Sequence, residues 1–256
     1  MSKNKHKAKG KNSGKVLPWV VCVLLIVVVV VLAVLIRNAS AAQDLQDDTG
    51  GTENTDTAVS VPVVTMKDES LAYNLGSGIC IDGLLSYAGP YAEDKTDEVV
   101  VDVMAIKVTN NGSEYIQTMD IILTDGTTEA RFSLSTLMPG DTVIVPERNR
   151  MSYSDEFEFS EAKTENVAFF GFVPTMCEDK LEIVCLDGVI NVTNISGEDI
   201  TEDIFVYYKT ESDGIFYGGV TYRVRISGGL KADEIRQGAA SHFNTESSAV
   251  VFVTCG

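Results

Sequence analysis

The sequence predicts an all-β protein, with two tandem β-sandwich domains behind an N-terminal transmembrane helix. Three observations carry that reading. A charge-free run of 21 residues, Val16 to Ile36, follows a lysine-rich start. Downstream, short β-branched segments alternate with turn residues. One phrase is also written twice: IKVTNNGSEYI at 106–116 and INVTNISGEDI at 190–200, which is 190 − 106 = 84 positions apart.

Residues 1–15 carry six lysines and no acid, and form the predicted cytoplasmic tail. The run 16–36 follows. As a helix it would extend about 31 Å, enough for a hydrocarbon core. Its many valines suit lipid because only a helix satisfies its own backbone there. Trp19 sits at the lysine end and Arg37 closes the other. Six lysines before the span against one arginine after it put the N-terminus inside and the remainder outside. The rival reading is a cleaved signal peptide, because Ala39-Ser40-Ala41 resembles a cleavage site. The length of the apolar run and the intervening Arg37 favour an uncleaved anchor.

Residues 37–70 are rich in Asp, Thr, Gly and Ser and read as a flexible acidic tether. A short helix near LAYNL is an open reading of no consequence for the architecture. Beyond it, VVVDVMAIKV, MDIILT, ARFSLS and DTVIVP read as strands divided by NNGSE, TDGTTE and MPGD. LEIVC, VINVTN, DIFVYY, GGVTYRVRI, DEIRQ and SAVVFV continue the pattern. No stretch keeps a helical period over about 11 residues.

In the repeated phrase, Ile106/Ile190 and Val108/Val192 alternate with Lys107/Asn191 and Thr109/Thr193, the pattern of a half-buried strand. Asn110/Asn194 opens a polar turn, and Ile116/Ile200 restarts an apolar face. LMPGDTVIV at 137–145 matches LKADEIRQ at 230–237, now 93 apart. The nine extra residues of the second copy fall in DGIFYGGVTY. The repeat is therefore domain-sized, giving domains at 71–176 and 177–256, each two sheets closed over one core.

Phe205-Val206-Tyr207-Tyr208-Lys209 keeps the Phe and one Tyr of a known phrase, and Ile121-Ile122-Leu123-Thr124-Asp125 keeps its Leu and Asp. With the Asn-centred turns before them, these segments resemble bacterial FxLYD-type immunoglobulin-like modules. Those are small β-sandwiches found behind a membrane or lipid anchor in Gram-positive envelopes. The resemblance implies tandem immunoglobulin-like sandwiches and no catalytic residues.

Charge narrows the partners. Seven of the 20 basic residues lie in 1–37 and all 37 acids follow, so the outer part carries 13 − 37 = −24. Such a surface repels nucleic acid and anionic headgroups. Cys185 and Cys255 are each in phase with core-facing residues, so a bridge between them and two buried free thiols are both open readings. His242 is the only histidine of the outer part, and neither a Cys-x-x-Cys pair nor a phosphate loop occurs. No catalytic, cofactor or metal residues are expected.

Two aromatic-rich stretches are candidate interaction surfaces. RNRMSYSDEFEFSEAKTE holds Tyr153, Phe157 and Phe159, and SDGIFYGGVTYRVRI holds Phe216, Tyr217 and Tyr222. Packing against the sandwich is the competing role for both. The functional expectation is a non-enzymatic, single-pass membrane protein that displays its domains for contact with an envelope or extracellular protein. An extracellular carbohydrate-binding module or hydrolase is the alternative.

Overall fold

The alternation in sequence becomes strand over most of the described residues, which are 62–66, 72–94, 96 and 98–255 of the computed structural model. The predicted tail 1–15, the span 16–36 and most of the tether lie outside them. Among the described residues no helix is long and apolar enough to cross a membrane.

The strands are β1 Val63–Met66, β2 Tyr73–Gly76, β3 Ile79–Pro90, β4 Val99–Asn110, β5 Ile116–Thr124, β6 Glu129–Leu137 and β7 Thr142–Pro146. They continue as β8 Glu161–Phe169, β9 Leu181–Leu186, β10 Val189–Asn194, β11 Ile204–Ser212, β12 Ile215–Ile226, β13 Ile235–Ala239 and β14 Ser248–Cys255. Two local expectations change. Val63–Met66, assigned to the tether by composition, pairs with β3, and the LAYNL segment enters strand β2 instead of a helix. In both places a neighbouring β edge supplies backbone partners that local composition cannot reveal.

An eight-stranded sheet runs β1-β3-β4-β7-β12-β11-β14, with β2 also on β3. Two three-stranded sheets run β6-β5-β8 and β13-β10-β9. One apolar core, including Ile81, Ile106, Ile121 and Phe132, lies between β3-β4-β7 and β6-β5-β8. A second, including Ile190, Val206, Val224 and Val253, lies between β9-β10-β13 and β12-β11-β14. The two halves thus repeat one strand order, and a single sheet crosses the expected boundary at 176/177.

The repeat holds at the level of atoms. Asn110 and Asn194 are both fully buried. Asn110 Nδ2 donates to the Glu114 and Leu137 carbonyls at 2.8 and 3.1 Å, and its Oδ1 accepts from Gly112 N at 3.0 Å. Asn194 Nδ2 donates to the Glu198 and Leu230 carbonyls at 2.7 and 3.1 Å, and its Oδ1 accepts from Ser196 N at 3.0 Å. Each asparagine closes its own turn and clamps it to the loop leaving the facing sheet. A buried amide needs such partners. In those loops Met138 N donates to Asp141 Oδ2, and Lys231 N donates to Glu234 Oε2.

The extra residues of the second copy join the halves. They lengthen the β11–β12 hairpin, which turns at Asp213-Gly214 with φ of 54° and 77°. On the extension, Phe216 and Tyr217 pair in parallel with Val143 and Ile144 of β7. Further along β12, a Cβ on Gly219 would stand 1.8 Å from the Ser133 carbonyl oxygen, so only glycine lets the backbones approach this closely.

Cys255 bonds to Cys177, and Cys185 is a free thiol. Cys185 and Cys255 do pack toward the same core, but from opposite sheets. Thr175 bridges to Val253, which brings Cys177 alongside the end of β14. Burial raises the Cys185 thiol pKa.

Candidate functional site

Where the two halves meet, a cleft of about 430 Å³ opens, within the range of small-ligand pockets. One wall comes from the first half, with Tyr87 of β3 and the Pro90–Ala92 segment. The other comes from the second half, with Tyr217 and Tyr222 of β12, the Asp187-Gly188 turn and the loop containing His242.

Each wall is fixed by local bonding. The Tyr87 hydroxyl donates to the Pro90 carbonyl at 2.6 Å. Gly188, at φ +72°, turns β9 into β10, and its amide donates to the Phe243 carbonyl at 2.9 Å. Asp187 Oδ1 accepts from the Thr245 amide and hydroxyl, both at 2.8 Å, and these bonds hold its pKa below the usual carboxylate range. Tyr222 stacks on His242 with centroids 4.5 Å apart, and on Tyr208 at 5.4 Å. Burial, then Asp213 and Glu211, raise the Tyr217 phenol.

A charged cluster lies beside the cleft. Lys209 is fully buried, and its Nζ donates to the Ser135 carbonyl at 2.8 Å. Glu93, on a short 3-10 turn at Ala92–Asp94, accepts from the Gly219 amide at 2.7 Å. Burial pushes Glu93 up to about 7, opposed by the Gly219 amide and by Lys209. Burial pulls Lys209 down to about 8, opposed by Glu93 and Asp141. Asp141 is likewise raised by burial. These groups join β6, β11 and β12, so they belong to the seam between the halves.

On the other side of Tyr222 and His242 a second hollow, about 610 Å³, adds more rings. Tyr207 stacks on Phe252 at 4.1 Å, and Phe170 meets Phe252 edge-on at 5.2 Å. Phe172 beside them is 52% exposed.

The six aromatic residues singled out in the sequence part company here. Tyr153, Phe157 and Phe159 are half-buried against the first core, with Phe159 edge-on to Tyr73, so much of each ring serves packing. Phe216 packs on that core too, its ring 5.9 Å from Lys209 Nζ. Its hairpin docks on β7, so it is not a free arm. Tyr217 and Tyr222 do line the cleft, and Tyr222 lines both hollows.

Sequence reasoning missed Tyr87, Asp187, Phe243 and Lys209. The β11 ladders slip between Tyr207 and Tyr208 on one side and between Tyr208 and Thr210 on the other. Tyr208 and Lys209 are consequently both buried, which a strict period of two forbids. His242, the one histidine of the outer part, takes a place in the ring stack with Tyr222.

Chemically, the cleft offers ring faces and edges, hydroxyls and one carboxylate, Asp187, among the described residues. Hydrolysis of a glycan would call for two converging carboxyls. Among the described residues no group of three His, Cys, Asp or Glu could hold a metal ion. No family model, curated protein or solved structure matches this chain.

Proposed function

We propose that this chain is a membrane-anchored recognition protein: a single N-in span, an acidic tether, and tandem immunoglobulin-like modules that hold a protein partner outside the membrane. The observation that carries it is the aromatic surface at the seam, from Tyr217 through Tyr222 and His242 to Phe172. Aromatic side chains contribute large contact area at small entropic cost and dominate protein contacts. The duplicated Asn turns and the FxLYD-like phrases support the modular reading, and the uninterrupted apolar run 16–36 supports the anchor.

A carbohydrate-binding role is the second reading, favoured by the rings and Asp187 in the cleft. One experiment separates the two. A photo-crosslinking amino acid is placed at position 172 or 222 of the full-length chain in its native membrane. Protein adducts that disappear on Tyr217→Ala are expected. Glycan adducts would move the assignment to the second reading, and turnover of a glycan or ester would overturn both.

A further inference from the structure

We propose a second, separate contact site: the open edge of β9 accepts an extended, apolar and basic segment of a partner protein as an added strand. It does not depend on the cleft.

The internal duplication provides the comparison. Ile79 of β3 stands opposite Asn110 as Leu181 of β9 stands opposite Asn194, so β3 and β9 hold equivalent places. The outer edge of β3 is covered, with β2 pairing along Ile79–Ile81 and β1 along Leu85–Ala88. β9 ends its sheet, in the order β13-β10-β9, and no strand of the described residues lies on its far side.

The difference has a visible cause. The segment before β9 is the counterpart of β2, yet Thr175 bridges to Val253 and Cys177 is bonded to Cys255. That segment is held on β14 and reaches β9 only at its start, where Leu181 N donates to the Cys177 carbonyl at 2.8 Å, so no strand covers β9 beyond it. An uncovered strand edge presents unpaired N–H and C=O groups to any extended chain. Of the usual protections LEIVCL has no Pro and no Lys, and carries one charge, Glu182.

The surroundings define the occupant. Next to Leu181 and Ile183 lies a hollow formed with Met176 and Ile195, and Glu178 and Glu182 lie on it as well. Val184 and Leu186, on the outer face of β9, are 46% and 52% exposed. A strand docked here would set apolar side chains beside Val184 and Leu186 and cationic ones beside the two glutamates. A second copy of this chain fits worse, because it would bring Glu182 against another acidic edge.

The test uses the full-length chain in detergent micelles and two eight-residue peptides in which Thr alternates with a second series, Lys-Lys-Val-Val in one and Glu-Glu-Val-Val in the other, so that charge and apolar groups share one face as Glu182, Val184 and Leu186 do. The Lys–Val peptide is expected to bind at least tenfold more tightly and to slow amide exchange at Leu181–Leu186. In the Glu178→Lys/Glu182→Lys double variant the preference should reverse, while unchanged exchange protection in β4 and β7 reports intact folding. Tyr217→Ala should leave peptide affinity unchanged, so failure of the cleft reading and failure of this one are distinguishable. No binding, equal binding of both peptides, protection away from β9, or a β9-protected dimer without peptide would each overturn the proposal.

Discussion

Asn110 and Asn194 are the residues on which each half turns. Each is itself fully buried and offers its amide both to a carbonyl of its own turn, Glu114 or Glu198, and to a carbonyl of the facing loop, Leu137 or Leu230. Removing such an amide strands its partners, at a cost of about 2–4 kcal/mol. Asn110→Ala and Asn194→Ala should therefore each lower the urea midpoint by a similar amount. A difference of several-fold between them would refute the equivalence of the two turns. Glu93 contributes a pH dependence near neutrality. Its folded pKa of about 7 exceeds the ordinary 4.5, so the native state holds a proton that the unfolded chain releases. Its stabilising contribution is complete below 4.5 and lost as pH rises through 7, on the order of 3 kcal/mol. Lys209 acts in the opposite sense higher up, its contribution being lost as pH falls from 10.5 to about 8. Wild type should thus gain stability on acidification from pH 7 to 5 relative to Glu93→Gln, as read by denaturant titration at each pH.

Among the elements, the β11–β12 hairpin sets this arrangement apart from two sandwiches on a string. Its added residues place Phe216 and Tyr217 on β7, and the bulged register of β11 turns Lys209 into the seam. At Gly219 β12 lies against the Ser133 backbone of β6 with no room for a Cβ. Gly219→Ala should force the seam apart and raise amide exchange at Phe216–Thr221, with β4–β5 exchange unchanged. Uniform acceleration across both halves would instead mean that they unfold together. The strands themselves were readable because half-buried β structure writes its period directly into sequence, as Ile106-Lys107-Val108-Thr109 does. The seam was not, because pairing of β12 with β7 joins positions over 70 residues apart through a hairpin whose aromatics could equally have faced solvent. Likewise, phase placed Cys185 and Cys255 toward a common core but could not assign their sheets, and the bond forms with Cys177.

For the whole molecule, a repeated sequence phrase becomes two repeated sheet pairs, and one departure from the repeat creates the cleft between them. The candidate site was legible only in part. Tyr217 and Tyr222 stood out as aromatics in an insertion, whereas Tyr87 and Asp187 looked like an ordinary strand residue and an ordinary turn residue until the halves came together. The cross-link from Cys177 to Cys255 encircles almost the whole second half, 78 positions of chain. A protease that nicks any loop within that circle releases nothing: both pieces stay tethered and can close again over the same interior. Wear by clipping enzymes would therefore accumulate silently in this lobe, while a single cut between β4 and β8 would divide the polypeptide in two.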